Sequence, residues 1–279
     1  MITKSELKKQ LEEFIAKHED EEYENKTIKD YKIAINKFIN YLVDEEIELT
    51  KKLLRDYKTY LKENFSTATV NKYIIVLNKF IKFLGYNDLS LIKIKVQQKT
   101  SIDDPIWEQE HKRMLKWAKK LNMYDMYLIM KCFAFTGIRV IELKEFKVEN
   151  LDNYIEVYNK SKVRKIILRD DLKRELKKYC KENNIKSGYI FRSPVNKEKM
   201  LNPSTIWRRL KKIAGAARVN KNKIHPHAWR HLFAKKFIAS GGTIDELADI
   251  LGHSKIETTR IYTMTSNKEK KQKLENMKF

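Results

Sequence analysis

Two stretches within the first hundred residues echo one another, TIKDYKIAINKFINYL at 27–42 and TVNKYIIVLNKFIKFL at 69–84. They correspond at Thr27/Thr69, Tyr31/Tyr73, Ile35/Leu77, Phe38/Phe80, Tyr41/Phe83 and Leu42/Leu84. Positions three or four apart lie on one face of a helix, so each copy reads as an amphipathic helix whose aromatic stripe must be covered. LTKKLLRDYKTYLKE supplies a further helix between the copies, and residues 4–18 one before them. Residues 1–92 are therefore expected to form a small all-helical domain cored by those stripes. The polar faces of the copies carry Lys29, Lys32, Lys37, Lys72, Lys79 and Lys82.

The pattern then breaks. Residues 93–105 are polar, keep no apolar period and close on Asp-Asp-Pro, as a linker does. A second domain is expected over 106–279. MYDMYLIMKCFAFTG is a largely apolar helix that stops at Gly137, and NYIEVYNKSKVRKIILR (153–169) reads as a β-hairpin with a polar tip. Helices resume with DDLKRELKKYCKEN and NPSTIWRRLKKIAGAA. Thr243 with Glu246, and Ser254 with Glu257, have the spacing of capping boxes, and Gly252 closes the helix between them. A chain of 279 residues can bury a full core in two such domains.

Composition narrows the classes. No apolar run approaches the ~18 residues that could span a bilayer, and MITKSELKKQLEEF is an ordinary polar helix and no secretory leader. Cys132 and Cys180 stand far apart, which suits a reducing cytoplasm without a disulfide framework. The formal net charge is +22. It is unevenly placed: residues 1–100 hold 19 Lys and Arg against 16 Asp and Glu, the remainder 40 against 21. A Lys- and Asn-rich codon bias would not load one half so heavily. A polyanion is the natural partner, since cations placed along phosphates release condensed counterions. The lysines of the two echoed helices are placed to run along such a backbone.

HPHAWRH (225–231) gathers three of the six histidines. His225 and His227 at i,i+2 do not share a helix face, and no cysteine or carboxylate stands near in a ligand spacing, so a metal is not expected. His227 and Arg230 at i,i+3 do point the same way, which suits an anion: a fork of guanidinium donors beside an imidazole able to pass a proton.

LGHSKIETTRIYT (251–263), HAWR (227–230) and TGIRVIEL (136–143) together resemble the three signature boxes of the tyrosine recombinases, the integrase and Xer group. The helical N-terminal segment resembles that family's core-DNA-binding domain, so the likeness covers essentially the whole chain. It implies a mainly α fold: an all-helical, SAM-like domain, and an α+β catalytic domain with a small antiparallel sheet, the two forming a C-shaped clamp on DNA. By position it implies that Arg139 and Arg230 clamp the scissile phosphate, that His227 accepts a proton and His253 donates a hydrogen bond, and that Tyr262 is the nucleophile. Glu142 matches the supporting acidic residue, and a salt bridge to Arg139 is equally compatible with it. The family's lysine sits on a hairpin, usually as Gly-Lys-Gly. Here Asn159-Lys160-Ser161 is the corresponding tip, with Lys160 as the favoured lysine; because both glycines are absent the register is open by one or two residues, and Lys162 is its rival.

The implied chemistry is cleavage through a 3′-phosphotyrosine, rejoining to a partner strand, and passage through a Holliday junction, with no metal, ATP or other cofactor. The implied partners are double-stranded DNA with inverted-repeat core sites and, on synapsed DNA, three further copies of the chain, which is a monomer or dimer when free. The setting is the cytoplasm, at the nucleoid, with no membrane. Core-binding helices within the first thirty residues leave no room for an arm-site domain. Integration or excision of a mobile element and Xer-type resolution both fit. The tail, residues 267–279, resembles segments that dock on a neighbouring protomer, with Leu274, Met277 and Phe279 as its apolar face. Two alternatives remain open: a DNA-binding regulator or architectural protein on a recombinase scaffold, and a type IB topoisomerase-like strand relaxer.

Overall fold

The computed structural model describes residues 1–95, 105–152, 154–159, 162–252, 259 and 274–277, with backbone alone at Asn159, Lys162 and Pro226. The chain falls into two compact units, Met1–Gln98 and Lys99–Phe279.

The first unit is built from α1 (Lys4–Asp20), α2 (Asn25–Tyr41), α3 (Lys51–Asn64) and α4 (Thr67–Phe83). The echoed stretches are α2 and α4, and they pack against each other. Phe38 and Phe80 are fully buried, as are Ile35 and Ile74, while the ring of Phe14 from α1 meets Phe80 edge-on at 5.4 Å. Helix α1 opens on a capping box formed by Thr3 and Glu6. The unit is not purely helical. Ile2–Thr3 (β1) pairs antiparallel with Glu46–Ile47 (β2), a two-residue ladder that ties the N-terminus to the α2–α3 connection. Two-residue strands carry no periodicity, so the sequence pattern could not announce them. Beyond α4, Asn78 brackets Leu91 and Asn71 brackets Ile94, each side chain both donating to and accepting from that residue's backbone. The run 91–94 is thereby fixed to this unit.

The second unit has α5 (Glu108–Lys120) and α6 (Tyr124–Thr136), then the hairpin β3 (Tyr154–Asn159) and β4 (Lys162–Ile167). The described helices that follow are α7 (Asp170–Glu182), α8 (Pro203–Ala216), α9 (Pro226–Ala239) and α10 (Ile244–Leu251). Helix α6 is buried on nearly every side from Met126 to Phe133, as its unbroken apolar run requires, and packs along α5 and α9. Its single cation, Lys131, is buried and donates to Glu175 of α7 at 2.7 Å. Asp125, in the first turn of α6, takes both terminal nitrogens of Arg209 and so bolts α8 in place. Trp229 of α9 is fully buried, and its indole N–H donates to Nδ1 of the buried His111 on α5 at 2.9 Å. Desolvation pushes His111 down to about 4, so its ring is neutral and free to accept.

In the hairpin, Asn159 pairs with Lys162, and Val157 with Arg164 and Ile155 with Ile166 point inward. Helix α10 starts at the Thr243–Glu246 capping box and ends at Gly252 with φ +65°. The second capping-box spacing, Ser254 and Glu257, lies outside the described residues, as do His253, Lys160, Tyr262 and Phe279. Leu274 and Met277 are exposed. No described helix is long and apolar enough to cross a membrane.

Phe38 anchors the first core. Phe38→Ala is expected to cost about 3–5 kcal/mol of that unit's stability, the usual penalty for emptying a buried phenyl site. Calorimetry of the full chain checks it: the transition of the first unit should move to lower temperature and that of the second should not.

Candidate active site

The TGIRVIEL segment leaves α6 through Gly137, which adopts φ +62°. A Cβ here would sit 2.6 Å from Phe233 Cδ1 and 2.8 Å from Leu251 Cδ2, so a glycine is what lets the end of α6 meet α9 and α10. The chain then makes a 3-10 turn, Val140–Glu145, with Arg139 at its N-cap. Glu142 reaches back to that cap: Arg139 N–H donates to Oε2 at 2.7 Å and Arg139 Nη1 to Oε1 at 3.0 Å. From the hairpin, Arg164 Nη2 donates to Oε2 at 2.6 Å. Glu142 is only 2 % exposed. Burial alone would raise its carboxyl, but the Arg164 charge, the Arg139 N–H and the Arg139 charge outweigh that and hold it below its ordinary 4.5.

The HPHAWRH segment starts α9, with His225 at the N-cap and Pro226 in the first turn, where a missing N–H costs nothing. His227 and Arg230 share a helix face but not an environment. His227 is exposed, whereas Arg230 is fully buried. Arg230 Nη1 donates to Gly137 O and Nη2 to Leu251 O, both at 2.6 Å. These carbonyls end α6 and α10 and lack a helical partner, which is why the guanidinium reaches inward for them. One side chain thus joins the three segments quoted above: it belongs to the second, holds the first two residues before Arg139, and holds the third two residues before His253.

The imidazoles around this point are kept neutral. Desolvation first, then the charges of Arg230 and Arg139, keep His227 below its ordinary value. His225 is lowered by desolvation as well, and its ring lies 6.2 Å from Trp207 and 6.5 Å from His227. Burial pushes His231 down to about 4. The arrangement therefore offers permanent cations beside an imidazole that is free to accept a proton at neutral pH, which is what phosphoryl transfer to a hydroxyl asks of its surroundings.

Against known families, residues 105–269 match the phage integrase family, and residues 9–87 match the phage integrase N-terminal SAM-like domain. The chain belongs to the phage integrase family. Membership carries the reaction class with it: these are tyrosine recombinases, enzymes of site-specific DNA strand transfer. Among its relatives, the tyrosine recombinase XerA of Pyrococcus furiosus is 32% identical over 175 residues, 60% of this chain and 59% of that protein. The tyrosine recombinase of Pseudothermotoga lettingae is 27% identical over 261 residues, 88% of this chain and 89% of that one. In fold, the chain is similar to the XerH site-specific recombinase bound to its difH substrate, with a TM-score of 0.71 and 20% identity over 96% of this chain and 84% of that one.

Of the residues named from the integrase likeness, Arg139, Glu142, His227 and Arg230 are brought together, while Lys160, His253 and Tyr262 lie outside the described residues. The lysines of the helical domain divide. Lys29, Lys32 and Lys37 line one cavity with Asn36 and Asn40. Lys72 instead pairs with Asp30 at 2.8 Å, and Lys79 donates to Tyr31 Oη at 2.7 Å, so these two tie α4 to α2. Lys82 is exposed. Sequence reasoning missed Arg164. Its signal was parity: strand alternation puts a guanidinium inward between Val157 and Ile166.

Glu142 fixes a pH dependence. Because its folded value is lowered, the ionised carboxylate stabilises the folded chain fully above the ordinary 4.5, and that contribution is lost as pH falls through the folded value. Glu142→Gln leaves two cations beside a neutral amide, and at pH 7 it is expected to cost about 3–5 kcal/mol. Denaturant titrations of both proteins from pH 7 downward should show the gap narrowing below pH ~4.5; a constant gap would refute the assignment.

Proposed function

We propose that this integrase-family chain cleaves and rejoins DNA at short inverted-repeat core sites, with Tyr262 as the nucleophile. The observation that carries the reading is the buried Arg230 guanidinium, which draws TGIR, HAWR and the start of LGHS onto one point. In this reading the Tyr262 hydroxyl passes its proton to His227 as its oxygen attacks the scissile phosphorus. Charge builds on the non-bridging oxygens and is balanced by Arg139, Arg230 and a hydrogen bond from His253. The 5′-oxygen leaves with a proton from Lys160, or from Lys162 in the alternative register. The phosphotyrosine keeps the bond energy, so the 5′-hydroxyl of a second strand reseals it by the same steps reversed.

Exchange of two strand pairs requires four protomers, so the working form in this proposal is a homotetramer on synapsed DNA in the cytoplasm, at the nucleoid. The Xer names among the relatives favour resolution of paired sites, with integration of a mobile element as the second role. The exposed Lys29 and Lys32 and the half-buried Lys37, whose ammonium lies 4.9 Å from the Phe65 ring centroid, are assigned to the DNA backbone on the strength of their shared cavity. Lys72 and Lys79 carry weaker support, being engaged within the fold. In the same scheme the tail 267–279 docks on a neighbouring protomer.

The test is covalent trapping. Wild-type protein incubated with fragmented host DNA and then denatured should retain DNA that carries one recurring inverted repeat. Tyr262→Phe should bind the same fragments and retain none. Arg139→Ala should lower the rate of adduct formation by about 10²–10³-fold, the cost of removing one donor from a developing oxyanion. Specific binding with no adduct in the wild type would turn the reading toward a DNA-binding regulator.

A further inference from the structure

Arg164 is a nearly buried cation beside the candidate site, and the family likeness gives it no part. It projects inward from β4, two residues past Lys162, with 10 % of its side chain exposed. Its Nη2 donates to Glu142 Oε2 at 2.6 Å, and its Nη1 donates to Ile250 O in the last turn of α10. Its aliphatic stem lies against Gly252, where a Cβ would come within 2.5 Å of Cδ. Three separate pieces of chain are thereby held by one side chain: the hairpin whose tip carries the lysine, the turn that carries Arg139, and the helix end that leads to His253.

We propose that Arg164 is a positioning residue for strand cleavage: it sets the height of the hairpin over the arginine box, and so brings the tip lysine to the leaving oxygen. The inference rests on the recombinase reading above. The physical case is geometric. A two-stranded hairpin is marginal by itself and takes its orientation from what it docks on. Val157 and Ile166 supply non-directional apolar contact. The planar fork of Arg164 adds direction, because its two terminal nitrogens satisfy two acceptors on different elements at once. A lysine ammonium at this position keeps the charge beside Glu142 but cannot span both acceptors. Cleavage needs that direction at one step. When the tyrosine oxygen bonds to phosphorus, the P–O5′ bond breaks, and the departing oxygen takes a proton from the lysine as His227 holds the one lost by the phenol. A sulfur in the 5′-bridging position leaves as a stable thiolate and takes no proton.

The experiment compares wild type, Arg164→Lys, Lys160→Ala and Lys162→Ala on two nicked duplexes of the trapped core site, one with a 5′-bridging oxygen and one with a 5′-bridging sulfur at the scissile phosphate. Arg164→Lys is expected to slow cleavage of the oxygen duplex by about 10–10²-fold and of the sulfur duplex by less than about 3-fold, the pattern of a displaced general acid. In the background of whichever lysine variant the sulfur rescues, Arg164→Lys should add nothing, since both act on one step. Equal slowing on both duplexes, or additivity with the lysine variant, would overturn the proposal. A wild type that cleaves neither duplex would sink the recombinase reading itself. One arm needs no DNA: hydrogen exchange of Arg164→Lys should rise together in 154–167 and 248–252 with α7 and α8 unchanged, and no change at the hairpin would refute the tie whatever the enzyme does.

Discussion

A carboxylate held out of water organises the catalytic unit. Glu142 is 2 % exposed, and removing an ion of its size from solvent costs several kcal/mol unless charge and hydrogen bonds replace the lost hydration. The replacements come from two places: Arg139, three residues away in the same turn, and Arg164, on a strand of the hairpin. The local partner alone leaves Oε2 with one donor. The hairpin must dock before the carboxylate is satisfied, so the turn that presents Arg139 and the β3–β4 pair form as one cooperative piece. A buried pair of this kind adds little net stability compared with apolar packing, but it tolerates very few arrangements, and a site that must hold a phosphate gains from that narrowness.

The same logic is repeated at helix ends. A helix leaves its last carbonyls without partners, and they carry the negative end of its dipole. Two of those at the end of α10, Ile250 O and Leu251 O, are taken by Arg164 and Arg230, and Gly137 O at the end of α6 is taken by Arg230 too. Guanidinium groups there complete the helices and are oriented by them. Gly137 and Gly252 make the approach possible, each in the left-handed region and each with a neighbour where a Cβ would stand. Arg230 is thus fixed by backbone, the rigid part of the molecule, Arg164 by backbone and Glu142 together, and Arg139 by Glu142.

Much of this was legible in the sequence, and the parts that were not share a cause. The echoed helices, the hairpin and the Thr243–Glu246 cap follow from periodicity and end signals, and the structure has them. The β1–β2 ladder has no period to read. Trp229, within HAWR, carries no local sign of what it packs against. In the structure it fills the core and needs a partner for its indole N–H, which His111 supplies from 118 residues away. Lys131 interrupts an otherwise apolar helix for a similar reason, its partner Glu175 lying on α7. Arg164 is not legible because strand parity says only that it points inward, whereas its work is done by reach. In each case the missing information is the identity of a distant acceptor, which local pattern does not hold.

Fixed cations and a neutral imidazole impose a consistent electrostatic task. Arg139 and Arg164 share the buried Glu142 carboxylate while Arg230 is held by backbone carbonyls, so among the described residues the site carries more positive than negative charge and favours anions. His227 responds by losing affinity for protons, with desolvation and the two nearest arginine charges acting in the same direction. That makes it a weaker base than a free histidine, yet one that is unprotonated at neutral pH. The same field stabilises a phenolate, since any hydroxyl brought beside these cations has its ordinary value of about 10 drawn downward. In the proposed reaction this field acts on the acid, because a phenol held beside fixed positive charge ionises more readily than one in water. The separation of His227 and Arg230 into different environments, unexpected from their shared helix face, is what allows the arginine to stay fixed while the imidazole stays available.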